Sequence, residues 1–216
     1  MSIRHITMIG MSNIGTSETS TRIQSELGYK RIDCDPMVNE KILLAVARTE
    51  PNLKLDSIED CAAWMGQPGS DNPDYRQRSA LFVQCERELM QEVVRTLGDA
   101  NDSPSVIDTC GSVIYTGADV LDRLKAMTHV VYLAASPAYQ QALFDRYIAE
   151  PKPVVWPDGI FSQAPGQSKR DALAEGYPKL LASRDAWYRA MAETVIPFEV
   201  HRNRHANLRA MLSLAA

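Results

Sequence analysis

The chain has 216 residues, 45% hydrophobic and 23% charged, a globular balance with enough length to bury a core without disulfides or a structural metal. Its formal charge of −4 is spread without a basic block, which speaks against a nucleic-acid footprint, and its four cysteines form neither a C-x-x-C pair nor a cluster with histidine, so zinc and redox motifs are not indicated. No run approaches the ~20 apolar residues of a membrane span and the N-terminus lacks a signal-type apolar segment, so a single-domain, reduced, cytoplasmic protein is expected.

In chain order, residues 3–9 read as a strand, 10–15 as a turn, 17–27 as a helix and 30–33 as a second short strand. Residues 36–48 and 57–65 have helical character, and 67–74, dense in Pro, Gly and Asp, form a loop. Over 75–97 the apolar residues Phe82, Leu89, Met90, Val93 and Leu97 recur at helical spacing, with Gly98 as the stop. Residues 105–109 and 129–133 read as strands separated by a helix over 118–125. Residues 150–176 carry Pro151, Pro153, Pro157, Pro165, Gly159 and Gly166, which predicts a long loop of the kind that is usually functional. A helix over 177–193, a strand over 194–200 despite Pro197, and a helix over 207–213 complete the order, without internal repeats. Strands alternating with helices predict a parallel sheet between helical layers.

The first strand-to-helix junction reads Gly10-Met11-Ser12-Asn13-Ile14-Gly15-Thr16-Ser17, the G-x-x-x-x-G spacing of a phosphate-binding P-loop. Such glycines let successive backbone N–H groups converge on an anion at a helix N-terminus, and no side chain is needed for that. Ser17 stands where a magnesium-contacting hydroxyl belongs. Thr16 stands where these loops carry the lysine that neutralises the β and γ phosphates, and Glu18 adds a carboxylate in the first helical turn. The same residues also suit a tight turn with a self-capped helix.

Asp33-Cys34-Asp35 closes the second strand, at the sheet edge where open α/β proteins bind ligands. Strand alternation would set both carboxylates on one side, as a magnesium ligand and a general base; alternatively Asp35-Pro36 is an N-cap and first helical residue. Asp108, after Val106-Ile107, reads either as a Walker B-type magnesium carboxylate or as a cap on the following turn. His201 and His205 have i,i+4 spacing but no visible third ligand.

Residues 6–35 resemble, without a gap, the opening of shikimate kinases: strand, P-loop, helix, Leu27-Gly28, strand, D-x-D. Val106 to Ser112 is similar to that family's third strand and glycine-rich substrate loop, with Gly111 retained. Lys152-Pro153-Val154-Val155 resembles the R-P-L-L opening of its lid, and Leu180-Leu181-Ala182-Ser183-Arg184 with Trp187-Tyr188 resembles the helix that brings an arginine to the substrate. The resemblance implies a P-loop, three-layer α/β/α domain with a five-stranded parallel sheet, substrate-binding helices at about 36–98 and a lid at about 150–176. It further implies ATP and magnesium as cofactors if the chain is active, and a small anionic hydroxylated molecule as ligand.

By position the resemblance makes Asp35 the base, Asp33 a water-mediated magnesium partner beside Ser17, and Gly10, Asn13, Gly15, Thr16 and Ser17 the nucleotide loop; Asp108 departs from shikimate kinases and resembles instead the Walker B magnesium carboxylate of other P-loop enzymes. Arg184 and Gly111 would face the substrate. Tyr75-Arg76 matches an F-R pair whose arginine also grips substrate, with Ser79 where a glutamate normally follows. Lys152, Lys169 and Arg170 would act from the lid. Three readings compete: a kinase with impaired nucleotide binding, a non-catalytic module for a ligand or protein partner, and a kinase in which Lys30, Lys152 or Lys169 replaces the lost lysine. No nucleic-acid or membrane partner is expected.

Overall fold

The computed structural model describes residues 4–97 and 103–212; the expected strand start at Ile3, the helix stop at Gly98 and the helix end at Ser213 lie outside them. The elements run β1 (His5–Gly10), α1 (Thr16–Leu27), β2 (Lys30–Asp33), α2 (Cys34–Val46), α3 (Ile58–Met65), α4 (Tyr75–Thr96) and β3 (Ser105–Asp108). They continue with α5 (Ala118–Met127), β4 (His129–Leu133), α6 (Gln140–Ala149), α7 (Lys169–Met191), β5 (Thr194–Ile196) and the short α8 (Phe198–His201) and α9 (Leu208–Met211). All strand pairs are parallel, in the order β2-β3-β1-β4-β5.

The central strand explains that order. Every residue of β1 is buried, as a parallel strand covered by helices on both faces requires. Chain order reverses across β1, because β2 and β3 lie to one side and β4 and β5 to the other. Its carboxyl end is therefore a switch point where neighbouring connections diverge and leave a crevice. Helix α4 packs against α2, α3 and α5 and places Phe82, Leu89, Met90, Val93 and Val94 in the core, all buried. Among the described residues no helix is long and apolar enough to cross a membrane.

Four departures from the sequence expectation have local causes. The last strand stops at Ile196, since Pro197 cannot continue the ladder and opens α8. Helix α2 starts at Cys34, so its N-cap is Asp33, and Asp35 lies in its first turn and not in the cap position. Helix α6 fills a stretch to which periodicity had assigned nothing. Helix α7 begins at Lys169, eight residues before the expected start, because Ser168 caps it: its Oγ accepts from the Asp171 amide at 3.1 Å. Pro178 is accommodated inside that helix, and Gly176 gives room to the indole of Trp156, whose Cζ3 would lie 2.9 Å from an added Cβ.

Tyr75 anchors the irregular residues before α7 from helix α4. Tyr75 Oη donates to Val154 O at 2.8 Å and accepts from the Trp156 amide at 2.9 Å. The Trp156 ring then packs among Tyr147, Phe161 and Tyr177. Tyr75→Phe keeps the ring but leaves a buried carbonyl and amide unpaired, a loss of about 1–3 kcal/mol. The expected result is a lower melting temperature together with faster hydrogen exchange at the Trp156 amide; unchanged exchange there would show that the hydroxyl does not pin this segment.

Candidate active site

At the end of β1 the chain turns through residues 11–15 into α1. The turn is closed by the Ile14 amide donating to Met11 O at 3.1 Å, and it places Asn13 at φ 67° and Gly15 at φ 112°, both left-handed. A side chain at position 15 would be strained, so the glycine is required by the backbone. Gly15 is also the N-cap of α1 and offers no side chain to the first helical amides, which are left for an anion. Glu18 pairs with Arg204 at 3.0 Å and with Arg202 at 3.5 Å, so the carboxylate in the loop's first turn brings two guanidinium groups from the chain's last segment beside it.

A cavity of about 810 Å³ opens over this loop. Gly10, Asn13, Gly15, Thr16 and Ser17 line it, together with Asp33, Asp35, Phe82, Cys110, Gly111 and Lys152. Three cations unanticipated in the sequence also line it: Arg31, Arg146 and Arg202. The first was findable, lying two residues before Asp33 on one strand and hence on the same face. The other two arrive from α6 and from beyond β5, and only the fold brings them here.

The strand-end acids are held by register. Asp33 in β2 is paired directly with Asp108 in β3, so the two carboxylates stand side by side on one face. Arg31 lies between them, its Nη2 2.6 Å from Asp108 Oδ2 and 2.9 Å from Asp33 Oδ2. Ser20 Oγ donates to the same Asp108 oxygen at 3.0 Å and accepts from Arg31 Nε at 2.9 Å. The two carboxylates expected to serve magnesium, Asp33 and Asp108, thus hold a guanidinium. Asp35, on the first turn of α2, stands apart from this pair.

Burial pushes the Asp35 carboxyl up to about 6, partly offset by a hydrogen bond with Cys110, while the charges of Asp108 and Asp33 raise it further. Behind it lies Glu86 of α4, fully buried, whose Oε2 accepts from Ser112 Oγ at 2.5 Å. Burial is again the main cause that pushes its carboxyl up, to about 8, with Asp35 adding to it. Cys34 and Cys110 are buried beside these acids, and desolvation raises both thiols well above their ordinary range, which makes them poor nucleophiles.

The expected pair of substrate arginines is not assembled. Arg76 is exposed, bonded to Asp158 at 3.0 Å, and does not line the cavity. The α4 aromatic that does line it is Phe82, two helical turns later, and the F-R-x-x-E spacing then falls on Phe82-Val83 and Glu86. A valine therefore stands in the arginine's place, and the glutamate missing at Ser79 is present as Glu86. Tyr75 and Phe82 are two helical turns apart on the same face of α4, and only Phe82 lines the cavity.

Arg184 is fully buried behind Gly111. Its Nη1 donates to Gly111 O at 3.1 Å, its Nη2 to Val155 O at 2.7 Å, and its guanidinium lies 5.3 Å over the Tyr115 ring. Gly111 is hemmed in, since a Cβ there would sit 3.0 Å from Gly10 O and 3.2 Å from Arg184 Nη1. Of the lid cations, Lys152 reaches the cavity rim and pairs with Glu59. Lys169 pairs with Asp71 at 3.1 Å, Arg170 is exposed in the first turn of α7, and neither lines the cavity. His201 bonds Ala134 O through Nε2 at 3.0 Å and His205 is exposed, so they do not share a site.

The native Glu86 carboxyl lies above its ordinary value of 4.5, so its support of the fold is complete below about pH 4.5 and is lost as pH rises through about 8. Glu86→Gln keeps a neutral acceptor for Ser112 at every pH. The variant is expected to melt above the wild type near pH 9, with the gap closing toward about pH 5. Thermal denaturation across that range decides it, and a gap independent of pH would rule out a protonated native Glu86.

No family model matches the sequence, and no curated protein sequence matches it. Solved structures do. A shikimate kinase from Acinetobacter baumannii, in complex with shikimate, superposes with a TM-score of 0.60 at 17% identity, covering 98% of this chain and 89% of that one. The shikimate kinase of Bacteroides thetaiotaomicron gives 0.58 at 16% identity, over 98% and 96% of the two chains. That of Aquifex aeolicus gives 0.52 at 13% identity, over 97% and 92%.

Proposed function

The chain has the P-loop α/β/α fold of these small-molecule kinases, and from that premise we propose a shikimate-kinase-like, ATP-directed phosphotransferase site with weakened nucleotide binding. The observation that carries the reading is that a single cavity is lined both by residues 10–13 and 15–17 of the loop and by Asp35. A phosphate bound at the first amides of α1 would thus share a chamber with a carboxylate able to take a proton from a hydroxyl. With its carboxyl pushed up to about 6, Asp35 is mostly ionised at neutral pH yet more basic than an ordinary aspartate, which suits a general base. The acceptor is a small hydroxylated carboxylate, drawn by Lys152 and Arg146 on the cavity wall. In this reading residues 150–176 form the lid, hinged beyond the Tyr75 anchor.

The weakening is proposed from the phosphate end. Thr16 brings no charge, and Glu18 engages Arg202, the cation beside Gly15. Of the lysines considered as replacements for the lost one, Lys152 lines the cavity, while Lys30 and Lys169 do not. Those features equally support a second reading, a non-catalytic module for a small anion or a protein partner, which differs in having no turnover.

The test is calorimetry with ATP in magnesium buffer. Wild type is expected to bind poorly, and a Thr16→Lys, Glu18→Thr double variant at least about tenfold better, a gain that needs about 1.4 kcal/mol. Each single change should give less, because Glu18 would engage a lysine at position 16 and the single Glu18→Thr change adds no cation. Tight ATP binding by the wild type with phosphorylation of a hydroxylated acid would refute the weakened-kinase reading; failure of the double variant to bind would refute nucleotide recognition at this loop.

A further inference from the structure

Phosphate-loop enzymes commonly set a strand-end carboxylate against a magnesium ion that bridges the phosphates. Whether Asp33 and Asp108 fit such an ion is answered by what lies between them. One nitrogen of Arg31 is within 3 Å of an oxygen of each carboxylate, at 2.9 and 2.6 Å, and so fills the gap. Direct ligation of magnesium by this pair requires near-octahedral oxygen ligands at about 2.1 Å, which the intervening guanidinium prevents. The guanidinium cannot vacate the gap by losing its proton, because arginine stays charged in proteins.

The arrangement is built. Asp33 and Asp108 are brought abreast by the β2–β3 register, and Arg31, two residues back on the same face, reaches forward between them. Ser20 of α1 fixes both partners, accepting from Arg31 Nε and donating to Asp108 Oδ2. Asp108 is almost fully buried, and Arg31 and Asp33 line the same cavity as Thr16 and Ser17.

We propose that Arg31 is the resident cation of this site, standing where a divalent ion would otherwise bind, so that the chain recognises a polyphosphate without magnesium. The polyphosphate half of this statement rests on the proposed function; the statement about the metal does not. It also accounts for the odd pairing of changes at the site, in which the loop lacks its lysine while a fixed arginine sits at the strand ends.

Two measurements test it. In the first, Mn2+ is titrated into the wild type and into Arg31→Met and followed by the loss of the free-ion electron paramagnetic resonance signal. The wild type should show no site dependent on Asp108, whereas Arg31→Met should gain one that an added Asp108→Asn change removes. In the second, ATP is titrated by calorimetry in EDTA and in magnesium. Wild-type affinity should be the same in both within about threefold, and Arg31→Met should bind more weakly in EDTA and recover about tenfold or more with magnesium.

A wild-type Mn2+ site lost in Asp108→Asn, or a tenfold tightening of wild-type ATP by magnesium, overturns the proposal. So does a folded Arg31→Met protein that takes up no Mn2+, because the pair would then not be a cation site at all. If Arg31→Met fails to fold, as judged by its melting curve, the wild-type Mn2+ titration and its Asp108→Asn control still decide. If ATP binds under neither condition, the nucleotide reading fails, and the Mn2+ titration separately decides whether Arg31 holds the metal position.

Discussion

The burial of β1 between two parallel neighbours is the constraint on which the remainder of this molecule depends. A strand with both edges paired and both faces covered has one way to leave the sheet, through its carboxyl end, and here it leaves through a turn that needs left-handed backbone at Asn13 and Gly15. The crevice at that end receives contributions from several parts of the chain: Asp33 from β2, Asp35 from α2, Gly111 from the loop after β3, Lys152 from the segment before α7 and Arg202 from beyond β5.

Around that crevice the interior charges are handled in three different ways. Asp108 is neutralised by a fixed guanidinium and a hydroxyl. Glu86 is instead kept protonated by burial, with Ser112 as its partner. Arg184 is solvated by carbonyl groups of Gly111 and Val155 and by the face of Tyr115, which serve a delocalised cation adequately where a bare ammonium would be poorly served. Two of these solutions tie a residue that lines the cavity, Arg31 or Gly111, to a distant element.

The segment between α6 and α7 joins both regimes. Its first residues are clamped by Tyr75 and by the packing of Trp156, while Lys152 at its start reaches the cavity rim. Arg184 grips the same stretch at Val155, so one guanidinium of α7 bonds both Gly111 and this segment.

Period and punctuation in the sequence by themselves determined the alternating elements, the parallel sheet, the turn at residues 10–15 and the strand-end position of Asp33, because these depend on backbone preferences and on spacing within a few residues. Strands β2 and β4 begin and end where their hydrophobic pattern does. On α4 the aromatic residue that lines the cavity is Phe82 and not Tyr75, which spacing alone could not choose. The placement of Arg31 between Asp33 and Asp108, of Arg184 behind Gly111 and of Arg202 beside Gly15 was decided only by the tertiary structure. Asp108 lies 77 residues from Arg31, and Gly111 lies 73 from Arg184. Contacts of that span follow from strand register and helix docking, which bury charges against partners that no local pattern names.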